Sequence, residues 1–183
     1  MTRDERAFDD IIQAALQYPP IKMAVAHPCS PESLLGAVES FEAGLIEPIL
    51  VAPKAKLESL ANELDIDLSR CRIVDVPHSH AAAEEAVKLV RMGEAHSLMK
   101  GSLHTDEFMT EVLNRNTGVR TDRRISHIFV MKVESYPRYL FITDAAINIA
   151  PDLITKMHIT QNAIDLCHAL GIEKPKVAIL AAV

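Results

Sequence analysis

Short apolar runs alternate with longer amphipathic stretches along most of the chain. IKMAVAH at 21–27 reads as a strand, and 31–44 carries Leu34, Leu35, Val38 and Phe41 at the three-four spacing of a helix face. PILVA at 48–52 is the next strand, and Pro53 stands where a following helix over 54–64 would start. CRIVDV at 71–76, a helix over 80–92, AHSLMK at 95–100 and a helix over about 105–114 continue the alternation. SHIFVMKV at 126–133 and RYLFITD at 138–144, divided by SYP, read as consecutive strands joined by a turn. The longest amphipathic stretch, 151–170, stops at Gly171, a residue suited to the position after a helix end, and PKVAILAAV at 175–183 reads as a further buried strand.

Strands alternating with helices predict an α/β fold with a mostly parallel sheet, the 126–144 pair being the antiparallel exception. In open sheets of this kind ligands sit at the carboxyl ends of the strands, which directs attention to the loops after Ala26, Met99 and Thr143. Pro151 opens a new helix, so the expected division is a first α/β domain over 1–149 and the start of a second, truncated one over 150–183.

Composition narrows the class of protein. Of 183 residues, 49% are hydrophobic, which excludes an intrinsically disordered chain, and only 4% are aromatic with no Trp, which suits an aliphatic parallel sheet. Nineteen Lys and Arg against 25 Asp and Glu give a net charge of −6, so no global footprint for nucleic acid or an anionic membrane is present. Neither a long apolar span nor a secretory signal is seen, and the protein is expected to be cytoplasmic. Three widely spaced cysteines, Cys29, Cys71 and Cys167, form no CxxC and are expected to be small buried apolar residues.

Three segments have the makings of chemistry. In MKGSLHTDE at 99–107, Lys100, Gly101 and a helix start capped by Ser102 or Thr105 would bring a cation, a hydroxyl and free N–H groups together, a ready site for phosphate. An ordinary strand-to-helix turn also accounts for the pattern, and the spacing of a P-loop is absent. In NRNTGVRTDRRISH at 114–127, Arg115, Arg120, Arg123 and Arg124 cluster in a polar loop, and guanidinium forks match phosphate oxygens in pairs; a solvated basic loop is the alternative. In TDAAINIAPD at 143–152, Thr143, Asp144 and Asn148 lie at a strand end, where Asp144 would bind a cation, act as a base, orient an arginine or simply cap a turn. His78, His80, His104 and His127 default to structural roles, although His104 and His127 flank candidate sites. GxSxG and GxGxxG are both absent.

MKGSLHT, GVRTDRRISHIFVM and FITDAAINIAPDLITKMHITQNAIDLCHALGIEKPKVAILAAV, taken in that order, closely resemble the phosphate acetyl/butyryltransferase family, the butyryl branch and the bifunctional enoyl-CoA hydratase/phosphate acetyltransferases above all. The resemblance runs from about Lys22 to Val183. It implies a three-layer, isocitrate dehydrogenase-like α/β fold and exchange of an acyl group between CoA and inorganic phosphate, without a metal or redox cofactor, by an enzyme that forms dimers or larger oligomers. It implies Lys100, Gly101 and Thr105 as a phosphate cradle. An arginine among Arg120, Arg123 and Arg124 would bind phosphate or CoA with support from Ser126 and His127, and Asp144 and Asn148 would shape the cleft edge. The family's Ser, Arg and Asp for oxyanion stabilisation and thiol activation would lie beyond Val183, so catalytic residues are unassigned and the 183 residues alone are expected not to turn over. The competing reading is a phosphate- or CoA-binding or interaction module without catalysis.

Overall fold

The structure, a computed structural model, describes residues 8–180, which form two compact units: 15–120, and the described parts of 1–14 and 121–183 together. The first unit is built on a four-stranded parallel sheet ordered β3-β2-β1-β4, from β1 (Ile21–Ala26), β2 (Ile46–Ala52), β3 (Arg72–Asp75) and β4 (Ser97–Lys100). Helices α2 (Pro31–Glu42), α3 (Lys54–Glu63) and α4 (Ser79–Arg91) make the crossovers, and α5 (Thr105–Val112) follows β4. A seven-residue helix, α1 (Asp9–Ala15), precedes the sheet; it buries no residue, which is why no apolar stripe announced it in the sequence.

Alternation along the strands explains the near-continuous apolar runs. Val25, Leu50 and Ala52 pack on α2 and α3 through Leu34, Ala37, Val38 and Leu57, whereas Ala24, Ala26, Ile49 and Val51 pack on the other side against Ala82, Ala86 and Val87 of α4 and Phe108 of α5. Both faces of β1 and β2 are therefore dry, the state a parallel sheet requires, and the three-layer, mostly parallel expectation holds.

The second unit contains an antiparallel ribbon, β5 (Phe129–Val133) with β6 (Tyr136–Ile142), and helix α6 (Leu153–Ala169). The ribbon turns at Glu134 and Ser135, with Val133 paired to Tyr136, so β6 begins ahead of the SYP boundary expected at 138. Pro137 is tolerated inside it because each strand of a two-stranded ribbon has an open edge. Asp152 caps α6, accepting the Thr155 N–H at 2.8 Å. Its end is closed by N–H donation from Gly171 to His168 and from Ile172 to Cys167, a paired arrangement that needs the positive φ of 79° at Gly171.

The strand expected at 175–183 is not formed over its described part, 175–180. Val177, Ile179 and Leu180 are exposed and no strand among the described residues supplies a ladder for them; 181–183 lie outside the described residues. Cys167 is buried as expected, whereas Cys29 and Cys71 are half-buried; burial raises the thiol pKa of all three. Among the described residues no helix is long and apolar enough to cross a membrane.

Candidate functional site

The strand order runs outward from β1 through β2 to β3 and then returns to β4 on the opposite side of β1, so the carboxyl ends of β1 and β4 form the switch point of the sheet. Ala26 and Lys100 are register partners there. Beyond Ala26 the chain turns through His27, which has a left-handed φ of 52° and is only 7% exposed. Its N–H is bonded to the Val51 carbonyl at 2.8 Å, its ring Nδ1 donates to the Ser102 carbonyl at 2.8 Å, and its own carbonyl accepts from the N–H and Oγ of Ser102 at 2.9 and 3.2 Å. Gly101 donates its N–H to Ala26 at 2.8 Å, and a Cβ on it would fall 2.5 Å from the His27 carbonyl oxygen and 2.6 Å from that of Ala26. Backbone meets backbone at this point, which only glycine permits.

Lys100 reaches along the same turn and donates to the carbonyls of Leu103 at 3.0 Å and Gly101 at 3.3 Å. An ammonium has three hydrogens, so one remains for a ligand. Ser102 and Thr105 do not cap α5 as the sequence suggested: Ser102 is engaged with His27, Thr105 is the first helical residue, and the N-cap, His104, makes no side-chain bond. At the switch point, after β1, the start of α2 is closed, since Ser30 and Ser33 bond reciprocally at its head. Of the two helices that follow β1 and β4, α5 is thus the one whose first-turn N–H groups are left without a side-chain cap.

The second unit orders the arginine loop with polar side chains. One face of α6 carries His158, Asn162 and Asp165, spaced four and three residues apart. Asp165 and Asn162 take the Arg123 guanidinium, the latter at 3.4 Å. Asn162 Nδ2 donates to the Arg124 carbonyl at 2.9 Å and to Ser126 Oγ at 2.8 Å, and His158 Nδ1 accepts the Arg124 N–H at 3.0 Å. Gln161 and Arg123 both hold the exposed Asp165 carboxyl below its ordinary range. Arg123 is therefore committed to a carboxylate, and Ser126 to the helix. Arg124 and, in the first unit, Arg120 are exposed and enter no ion pair among the described residues.

Asp144 sits at the end of β6 and gathers donors. Its carboxylate accepts the N–H groups of Ala146 and Ile147 at 3.0 Å each and of Asn148 at 3.2 Å, together with the Asn148 side-chain amide and the His127 N–H. Burial pushes its pKa up, but these donors outweigh burial and the net shift is downward. A carboxylate so occupied shapes its loop rather than accepting a proton. Asn148 ties that loop to the Ile125 carbonyl at 2.9 Å, and Thr143 Oγ1 donates to the His127 carbonyl at 2.7 Å. The His127 ring lies edge-on to Phe129 with Nδ1 buried and unpartnered. Thr143, Asp144 and Asn148 line an open groove of about 930 Å³ that also includes Lys132 and Lys156.

The stretch that contains both the Lys100 turn and the arginine loop is also the stretch that matches a family model: residues 81–183 match phosphate acetyl/butaryl transferase. This chain belongs to that family. Across the transferase family it is 59% identical over 176 residues to a phosphate acetyltransferase of Rhizobium meliloti, covering 96% of this chain and 56% of that protein. With a phosphate butyryltransferase of Clostridium beijerinckii it shares 39% over 172 residues, covering 93% of this chain and 57% of that one. A phosphotransacetylase structure from Streptococcus pyogenes aligns with a TM-score of 0.77 at 17% identity, over 93% of this chain and 60% of that chain, which supports the fold. The chain spans about half the length of the curated relatives it matches, 56% of the Rhizobium meliloti protein and 52% of a phosphate acetyltransferase of Rickettsia felis.

Sequence reasoning missed His27, His158, Asn162 and Asp165. The last three were visible only as polar residues at helical spacing, a pattern shared by any solvated face. His27 gave no more than a His-Pro pair after a strand; its role depends on a bond to a residue 75 positions away.

Proposed function

We propose that the protein to which this chain contributes is a phosphate acyltransferase, exchanging a short acyl group between CoA and inorganic phosphate: acyl-CoA plus phosphate gives acyl phosphate plus CoA. The observation that carries the reading is the family match over 81–183, because it spans every residue put forward for anion binding. Lys100, Gly101 and Thr105 cradle phosphate. Arg120 and Arg124 bind phosphate or CoA, with Arg123, Ser126 and His127 supporting the loop and Asp144 and Asn148 fixing its edge. Residues 1–149 act as a first α/β domain and 150–183 as the start of a second.

The chemistry suits these residues. A phosphate oxygen attacks the thioester carbonyl carbon, the C–O bond forms, and the tetrahedral oxyanion collapses with cleavage of the C–S bond; the thiolate leaves and takes a proton to become CoA. No nucleophilic side chain is needed, so the protein's task is to hold two anions and stabilise a third charge. No residue among these 183 is proposed to stabilise the oxyanion or to handle the thiol proton. We further propose a cytoplasmic homodimer or larger oligomer that acts on acyl-CoA and phosphate without metal, redox cofactor, nucleic acid or membrane.

The test is an assay of the whole protein with CoA and acetyl or butyryl phosphate, followed by thioester formation. Turnover with either is expected. Binding of phosphate and CoA with no turnover in either direction would favour the alternative, a binding module without catalysis.

A further inference from the structure

The arginine loop is clamped through its backbone, and one clamp differs in kind from the others. Asn162 and Asn148 are amides that hold carbonyls of Arg124 and Ile125 at any ordinary pH. The Arg124 N–H instead points at His158 Nδ1, 3.0 Å away. A backbone N–H is only a donor, so this bond exists when Nδ1 carries a lone pair and the ring hydrogen is on Nε2. Protonation of the imidazole places a second donor opposite the first and abolishes the bond. The Arg124 guanidinium, like that of Arg120, enters no ion pair among the described residues, while its neighbour Arg123 is tied to Asp165. The bond at Arg124 therefore fixes the backbone of a free cation.

We propose that His158 is a positioning residue that holds Arg124 for an anionic substrate group, through its Nδ1 lone pair and only while its ring is neutral. The proposal rests on the phosphate and CoA reading above for the identity of the anion. Arg124 from the loop and Asp152 at the head of α6 are charged groups near His158; the Asp152 carboxyl is lowered first by the Thr155 hydroxyl and further by Arg124 and His158, and Asp165 farther along α6 holds Arg123 of the loop. The geometry requires only that the proton and the Arg124 N–H compete for one lone pair.

The experiment follows the Arg124 amide by hydrogen exchange, as a protection factor, between about pH 5 and pH 8, the range in which histidine titrates, with calorimetric titrations of inorganic phosphate and of CoA at both ends. In the parent chain the amide should be protected at the upper end and lose protection as the pH falls. His158→Asn, whose Oδ1 stands where Nδ1 stood and does not titrate, should keep protection at both ends and keep anion affinity. His158→Ala should lose protection at both, with affinity roughly fivefold weaker, the factor that one ordinary hydrogen bond confers. Arg124→Ala should keep amide protection yet lose the anion, separating the residue that positions from the one that binds. Parent-like protection and affinity in His158→Ala would overturn the proposal, as would a pH step that persists in His158→Asn. If the amide follows His158 but the parent chain binds neither phosphate nor CoA, the backbone clamp stands and its role in holding Arg124 for an anion is overturned, whereas the phosphate acyltransferase reading is decided separately by turnover of the whole protein.

Discussion

In residues 15–120 the Lys100–Gly101 turn is fixed by backbone lying on a sheet that is buried on both faces; in residues 121–180 the Arg124 loop is fixed by polar side chains, from α6 and from Asn148. The first unit holds both hydrophobic clusters, with Ala24, Val25, Leu50 and Val51 all 0% exposed. The described second unit buries only Thr155, Ile159 and Cys167, and leaves Ile149 at 95% and Leu180 at 87% exposure. Two ways of ordering a candidate anion-binding segment thus coexist in one chain. A turn pinned by close backbone packing fails when volume is added, whereas a loop pinned by hydrogen bonds fails when a donor or acceptor is removed or titrated.

The contrast can be broken first at Gly101. Gly101→Ala forces a Cβ against two backbone oxygens at 2.5 and 2.6 Å, and neither oxygen belongs to a side chain that can swing away. A loss of about 3 kcal/mol or more in urea unfolding is expected, together with loss of phosphate binding. Parent stability in this variant would show that the turn is not jammed as described. Leu50→Ala, in the middle of β2 at 0% exposure, should follow with about 3 kcal/mol, the range for a buried leucine.

The second unit should answer to polar changes. Asp144→Ala leaves the donors of its loop unpartnered, and about 2 kcal/mol is expected, as for hydrogen bonds to a charged group. Because the folded pKa of Asp144 is depressed, its contribution is complete above the unfolded carboxyl value of about 3.9 and is lost as the pH falls through the lower folded value. The gap between the urea midpoints of the parent and Asp144→Ala should therefore narrow as the pH is taken from 6 down to 3; a gap that stays constant would remove Asp144 from the account. Leu153→Ala, at 72% exposure, should change stability by no more than about 0.5 kcal/mol, and a larger loss would mean that this unit depends on apolar packing after all.

The same division explains what the sequence disclosed. Apolar periodicity located every strand of the parallel sheet and its crossover helices, because burial on two faces writes itself into long apolar runs such as PILVA. Lys100, Gly101 and the arginines were legible as residue types at a strand end or in a basic loop. Which arginine is free was not legible, since Arg123 and Arg124 are neighbours in sequence and their difference is made by Asp165, 42 residues away from Arg123. The clamp from His27 to Ser102 and the reach of His158 to Arg124 are likewise long-range polar contacts, which leave no periodic trace. The strand expected at 175–183 misled for the converse reason: an apolar run specifies a strand only where a neighbour completes its ladder.

The most direct test is a calorimetric titration of the chain with inorganic phosphate and with CoA, in the parent and in Lys100→Ala and Arg124→Ala. Binding of at least one of the two anions by the parent is expected. Each substitution should weaken it, Lys100→Ala by removing the ammonium hydrogen left over from the Leu103 and Gly101 carbonyls and Arg124→Ala by removing the unpaired guanidinium. Parent-like affinity in both variants would contradict the account, because the turn and the loop would then be ordered for something other than an anion.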